Sequence, residues 1–320
     1  MERLESASMS IRSSGQGTRQ IAVSRAQAIA FRLTKHYLRP REQRITTGAC
    51  GPTEPCMSQT GQVSHVPRIS QVVRAISGVQ AQVASAASLA LRTRIKNLSL
   101  GDVADSLWAR RDLVKTWCMR STVHYPPSKD LPLYLAGLEL IIALNEQRWM
   151  ARRGLDMSLL ERMVEAVVEA LSDGPLTRRE IGSQVVAEVG EESKIWVEHS
   201  WGGVIKQACL RGLVCFGPDR GREVTFVRLD QWLPGLKRLS DAEGSSLARA
   251  KVLEQYLEGY GPATIQDFSF WSGLPVKQAT EARSILVTGQ LKLWSMGLQP
   301  WLCRKIWRCW RLQPEARLNR

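Results

Sequence analysis

Gly174-Pro175-Leu176-Thr177-Arg178-Arg179-Glu180 is answered later in the chain by Gly261-Pro262-Ala263-Thr264-Ile265-Gln266-Asp267. In each stretch a Gly-Pro pair breaks a preceding helix, and a Thr followed three residues on by a carboxylate reads as a capping box that opens the next one. Ahead of the first, Leu159, Leu160, Met163, Val164, Val167, Val168 and Leu171 recur at helical spacing. Behind it a third helix is predicted from about Trp196, carrying Trp201, Ile205, Lys206 and Arg211 and stopping at Gly212. Leu213 to Phe216 and Val224 to Val227 then read as a hairpin around Pro218-Asp219-Arg220-Gly221. Three helices and a hairpin are the order of a winged helix. The second stretch repeats the grammar: Leu253, Tyr256 and Leu257 come before it, and a Ser272-Gly273-Leu274-Pro275 turn, a helix from Val276 to Leu286 and a strand beginning at Gly289-Gln290-Leu291 come after. The chain is therefore expected to be mainly α with small β wings (α+β), built of tandem winged-helix (helix-turn-helix) domains.

A comparable unit is expected ahead of these. Ser24 caps a helix with Ala28, Phe31, Leu33 and Leu38 on an apolar side and Arg32, Lys35, His36 and Arg39 on a polar one. Residues 40–68, with Gly48, Gly51, Pro52, Pro55 and Gly61, lack sustained periodicity and read as a loop insertion. Ile69, Val72, Val73 and Ile76 mark a helix that Gly78 ends, and another runs from about Ala84 to Ile95. Ser99 with Asp102 forms a capping box before Val103, Leu107 and Trp108, and that helix ends near Arg111. Leu113 to Tyr125, closed by Pro126-Pro127, reads as one strand leaving the core. The expected divisions are a disordered tail over 1–23, a first winged-helix-like domain over 24–150, a second over 151–240, a third and incomplete one over 241–293, and an atypical basic tail over 294–320. That tail sets Trp294, Trp301, Trp307 and Trp310 among Arg304, Lys305, Arg308 and Arg311. A reading-frame shift accounts for it better than base stacking, because aromatic-basic stretches bind nucleic acid only when a folded surface orders them.

Forty-four Lys and Arg against 30 Asp and Glu leave a formal charge of +14, which favours a polyanionic partner, nucleic acid first. An anionic membrane surface fits less well, since there is no basic amphipathic helix of the required contrast. The longest apolar run, Leu131 to Leu144, is too short to span a bilayer and is interrupted by Glu139. Met1 to Thr18 has no apolar core of a secretory signal. Seven cysteines without a Cys-x-x-Cys spacing are expected to be free thiols in a reducing cytosol, with no metal site. No phosphate-binding Gly-rich loop, metalloprotease His-Glu-x-x-His or nucleophile elbow is present, and no cofactor is expected.

Gly78-Val79-Gln80-Ala81-Gln82 remains. Two amides one residue apart, where one helix ends and another begins, project side by side only if the backbone is bent or extended there. With Leu89-Ala90-Leu91-Arg92-Thr93-Arg94 and Leu113-Val114-Lys115-Thr116-Trp117-Cys118-Met119-Arg120-Ser121-Thr122-Val123-His124, the block resembles the winged-helix AlkZ-like DNA glycosylases over roughly residues 24–293. The resemblance implies a monofunctional hydrolase of the N-glycosidic bond of N7-alkylated purines that also unhooks interstrand crosslinks. It would be a monomer, cytoplasmic and nucleoid-associated, acting on double-stranded DNA. Gln80 and Gln82 would be the catalytic amides, without distinction as to which holds the water. His124, Arg120, Thr122, Lys115, Arg32 and Lys35 would contact substrate or DNA, although Ser121 stands where this segment usually has Gly. A glutamine amide accepts and donates hydrogen bonds but does not titrate near neutrality, so it is a poor general base and the leaving group must already be good. A purine alkylated at N7 is positively charged and departs neutral. Against this stand blander readings: amides that cap helix ends, a solvated face for Arg32 and Lys35, a non-catalytic winged-helix DNA-binding protein or regulator, and a degenerate glycosylase.

Overall fold

The computed structural model of the chain describes residues 9–13, 16–21, 23–38, 45–46, 69–199, 203–236 and 242–288. Met9–Ser13 (β1) and Gln16–Ile21 (β2) pair antiparallel with Met9 opposite Ile21. Both strands fall within the stretch expected to be a tail, and their sequences hold Ile11, Thr18 and Ile21. Helix Arg25–Lys35 (α1) starts at Ser24, whose hydroxyl accepts from the Gln27 amide while the Gln27 side chain accepts from the Ser24 amide. Its apolar side is narrower than expected, because Phe31 is buried but Leu33 is 44% exposed. The expected loop insertion contributes a strand at Ile45–Thr46 (β3), and the rest of it lies outside the described residues.

Helix Ile69–Ala75 (α2) buries Ile69, Val72 and Val73 and leads into the stretch bearing the glutamines. Its end is a Schellman motif: the Ser77 amide donates to the Arg74 carbonyl and the Gly78 amide to the Val73 carbonyl. The left-handed turn thus starts one residue before the glycine expected to make it, at Ser77 with φ 54°, and continues through Gly78 at φ 99°. Gly78 has a second duty, since a Cβ there would lie 2.9 Å from the Met119 methyl. Leaving that turn the chain is extended through Val79–Gln80 (β4) and then forms Ala84–Arg92 (α3). Ile95–Lys96 (β5) pairs in parallel with β3, so Ile95 belongs to a strand and not to the helix before it. Leu100–Ala104 (α4), capped by Ser99 and Asp102 as the sequence indicates, runs into a π-helical turn over Asp105–Ala109. The single strand expected over 113–125 is instead a hairpin of Thr116–Trp117 (β6) and Val123–Tyr125 (β7), turned at Met119–Ser121. These strands form a three-stranded antiparallel sheet in the order β4-β7-β6.

The apolar run after the hairpin becomes Leu131–Tyr134 (α5), a π-helical turn over Leu135–Glu139 and Leu140–Ala151 (α6), burying Tyr134, Leu138 and Ile142. Next come Met157–Ala170 (α7), Leu176–Thr177 (β8), Arg178–Val189 (α8), Lys194–Val197 (α9), Gly203–Leu210 (α10), Val214–Arg220 (β9), Glu223–Arg228 (β10) and Leu229–Trp232 (α11). The hairpin strands are longer than expected and carry Pro218 to Arg220 inside β9, with β8 adding a third strand on the far side of β10. All eight residues of α10 are buried. Trp117 links this region to the glutamine-bearing sheet, its ring centroid 4.7 Å from Phe216 and 6.2 Å from Phe226. Ala242–Tyr260 (α12), Ile265–Ser272 (α13, capped by Thr264 and Asp267) and Val276–Thr288 (α14) complete the described chain. The strand expected from Gly289 and the tail over 294–320 lie outside it. The described fold is mainly helical with small sheets, around a principal core cluster that extends from Ile69 to Ala282.

Candidate functional site

Gln80 and Gln82 owe their common direction to extended backbone. From Val79 to Gln82 burial alternates, with Val79 at 5% and Ala81 at 2% exposure and both glutamines exposed. Side chains two apart on a strand point to one side. The Ala81 amide donates to the Val123 carbonyl at 2.7 Å, which holds the segment to β7 beyond the last paired residue. The answering bond is made by a side chain: the Val123 amide donates to Gln82 Oε1 at 3.2 Å. That contact orients the Gln82 amide, because a backbone N–H can be met only by its oxygen. Its NH2 group is then turned outward, whereas among the described residues no such contact fixes Gln80.

His124 lies beside them. It is the register partner of Gln80 on one side and of Thr116 on the other, so the three side chains share a face of the sheet. Its ring is buried, 2% exposed, and Nδ1 is 2.9 Å from the Thr122 carbonyl. Nδ1 must carry a proton to make that bond, leaving Nε2 as a lone-pair acceptor. Burial pulls the pKa down from 6.5 to about 4, the Thr122 carbonyl opposes this and Arg120 adds to it. The imidazole is neutral at neutral pH.

The remaining expected contacts divide. Thr122 is half-buried beside Gln82, its hydroxyl donating to the Met119 carbonyl at 3.2 Å. Arg120, at φ 55°, donates from its guanidinium to the Trp271 carbonyl. Lys115 is 7% exposed, 3.9 Å from the Asp219 carboxylate and 4.8 Å over the Phe216 ring, and burial lowers its pKa while Asp219 opposes the fall. A side chain so enclosed packs the hairpin interface. Arg32 likewise ties α1 to the end of α12, donating to the Tyr260 carbonyl at 2.9 Å and the Pro262 carbonyl at 2.6 Å. Lys35 is half-buried with its ammonium 5.6 Å from the Phe31 ring. Gln80, Gln82, His124 and Thr122 are thus brought together, Arg120 flanks them, and the contacts of Arg32, Lys35 and Lys115 lie with other elements.

Two participants, Ser121 and Glu146, stood outside the expected contacts. Ser121 holds φ 63°, and its hydroxyl donates to Glu146 Oε1 at 2.7 Å. Only a Ser in a hairpin turn that calls for Gly hints at such a tether. A cavity of about 380 Å³ between α7 and α8 is lined by Glu169, Asp173 and Glu188, the wrong sign for a polyanion. Cys118, Cys209 and Cys215 are free and buried, and the other four cysteines lie outside the described residues. Among the described residues there is no group of three or more His, Cys, Asp or Glu placed to hold a metal ion. No described helix is long and apolar enough to cross a membrane.

A family model for "DNA glycosylase AlkZ-like" matches residues 73–293. The chain is 29% identical over 252 residues to the interstrand DNA cross-link repair glycosylase of Streptomyces sahachiroi, covering 78% of this chain and 60% of that protein. It is also similar to the solved structure of Streptomyces sahachiroi DNA glycosylase AlkZ, at 27% identity and a TM-score of 0.65, covering 84% of this chain and 65% of that one. The chain thus spans less than two thirds of the length of both.

Proposed function

This chain belongs to the DNA glycosylase AlkZ-like family, and from that premise we propose that it binds double-stranded DNA and hydrolyses the N-glycosidic bond of N7-alkylated purines, interstrand crosslinks included. We read its architecture as tandem winged helices: α7, β8, α8, α10 and the β9–β10 hairpin form one complete unit, and α12 to α14 are the helices of the next. The observation that carries the functional reading is the pair of exposed glutamine amides on one side of an extended segment, beside a buried neutral histidine.

In this reading Gln80 holds the water. Gln82 turns its oxygen to the Val123 amide, so its NH2 group faces outward, whereas the Gln80 carbonyl is available to accept from water and point its lone pair at the sugar. The water oxygen bonds C1′ while the C1′–N9 bond breaks and its electron pair passes to the purine. The water's surplus proton is lost to bulk solvent, as no group at the site is a base of useful strength near neutrality. The Gln80 oxygen also lies where positive charge develops on the sugar, and a favourable dipole there lowers the barrier. A cationic purine needs no acid to leave, which matches a site whose histidine holds no spare proton. Because the glutamines are exposed, a bulky adduct can reach them without being turned into a closed pocket. We propose that the protein acts as a monomer and a monofunctional hydrolase needing no cofactor. A regulator that reads bases through the third helix of its complete unit is disfavoured, because α10 is buried along its whole length.

The test is release of N7-methylguanine from methylated duplex DNA by wild type, Gln80→Ala and Gln82→Ala. Both variants are expected to lose release by about a hundredfold or more, in the range of a lost transition-state dipole. Gln82→Ala should also lower stability by about 1 kcal/mol, having lost the partner of the Val123 amide, and Gln80→Ala should not. A folded wild type that binds duplex without releasing base would sink the proposal.

A further inference from the structure

The β6–β7 turn carries two consecutive residues in the left-handed region, Arg120 at φ 55° and Ser121 at φ 63°. Neither is glycine, and for residues with a Cβ this region is unfavourable. Tertiary contacts hold both. Glu146 Oε1, on α6, accepts from the Ser121 hydroxyl at 2.7 Å and from Lys206 Nζ at 2.9 Å. Lys206 belongs to the buried α10, with its side chain 11% exposed, so the carboxylate is anchored from within the core. On the other side the Arg120 guanidinium donates to the Trp271 carbonyl, and Gly273 lies so near that a Cβ on it would be 3.0 Å from both Cα and N of Arg120. Immediately after the turn come the two backbone groups on which the site depends: the Thr122 carbonyl that fixes the His124 tautomer and the Val123 amide that fixes Gln82. That peptide follows Ser121 through the extended Thr122, so a shift at Ser121 is carried to both groups.

We propose that Glu146, anchored by Lys206, is a positioning residue of the glutamine site: it pins Ser121 in a conformation a serine otherwise avoids, and so aims the Val123 amide at Gln82. The activity arm of this inference rests on the glycosylase reading; its structural arm does not. If Glu146 acts through the strained serine, the need for it should vanish when residue 121 no longer has a Cβ, since glycine adopts the left-handed region freely.

The experiment is a double-mutant cycle in the full chain, comparing Glu146→Ala made in wild type with Glu146→Ala made in a Ser121→Gly background, each measured against its own parent. Two quantities are read: single-turnover release of N7-methylguanine at saturating DNA, and the NMR shift of the Val123 amide in protein labelled at valine nitrogen. In wild type, Glu146→Ala is expected to slow release by about tenfold to a hundredfold, as a misplaced catalytic group does, and to move the Val123 amide. In the Ser121→Gly background it should do neither. The unpaired Lys206 is common to both arms, so its effect on stability cancels. Ser121→Ala, which keeps the Cβ and loses the hydroxyl, should reproduce the loss and serves if Glu146→Ala does not fold. Equal losses in the two backgrounds, or an unmoved Val123 amide in wild type, would overturn the proposal. If the wild type releases no base, the glycosylase reading falls, and the amide shift alone still decides the role of Glu146.

Discussion

His124 shows what enclosure does to a single side chain. Burial is the main cause of its fall in pKa from 6.5 to about 4. In the unfolded chain the imidazole takes up a proton near 6.5, so between that pH and 4 the unfolded state binds a proton that the folded state refuses. The stabilisation is therefore complete above 6.5 and is lost as pH falls through the window, a difference worth about 3 kcal/mol in all. His36, lowered to about 4 chiefly by burial with Arg94 and Arg32 adding to the fall, titrates in the same window and must be cancelled by comparison. His124→Asn keeps a donor for the Thr122 carbonyl and removes the titration. In urea melts, the stability of wild type relative to this variant is expected to drop by about 2–3 kcal/mol between pH 8 and pH 4.5. Parallel curves would mean that the ring is charged, or wet, in the folded state. The sequence could single out His124 only through its surrounding block; nothing in Val-His-Tyr reports that the ring lies under Gln80 and bonds to the backbone two residues back.

The π-helical turn over Leu135–Glu139 raises the opposite case. Glu139 is fully buried, neither carboxyl oxygen has a geometric hydrogen-bond partner, and burial drives its pKa far up against a smaller lowering by the Cys118 thiol. Here the folded state keeps a proton that the unfolded chain gives up above about 4.5, so the group weakens the fold increasingly as pH rises from there, by about 1.4 kcal/mol per unit until the folded group itself ionises. Glu139→Gln mimics the protonated acid, so its melting temperature should exceed that of wild type by a margin that is small at pH 4.5 and grows toward pH 8. A margin constant with pH would argue that the carboxyl is solvated. Elements of this molecule were legible where their causes are local. The capping boxes at Ser99, Thr177 and Thr264 stand where the sequence has them, because the residues that satisfy the first amides lie within one turn. The β6–β7 hairpin was not legible: its turn is made by Arg120 and Ser121 rather than Gly or Asn, and it persists through partners at Glu146 and Trp271 that no local rule reaches. The same holds for the π-turns, whose sequences carry ordinary helical spacing.

Across the molecule, the C-terminal helices close on the site from behind. Gly273 ends α13 in the left-handed region at φ 82°, and a Cβ there would lie 3.0 Å from the Arg120 backbone, which would have to give way. Gly273→Ala should thus be felt twice, by about 1–2 kcal/mol in stability from the left-handed backbone and, through the displaced turn, as slower base release per folded molecule. Normal release by a variant with a lowered melting temperature would uncouple α13 from the glutamines. The capped helices after the two Gly-Pro stretches were readable from the sequence, whereas the packing of α13 on the Arg120 turn, 151 residues away in sequence, was not. One feature of the whole reaches furthest: Gln80 and Gln82 stand in the open. Under the proposed chemistry such a face, among the described residues, has no door to close on an intact nucleotide. Discrimination then falls to time, with each base surrendered at a pace that mirrors its own tendency to depurinate in water, and undamaged DNA is spared by its inertness and not by inspection.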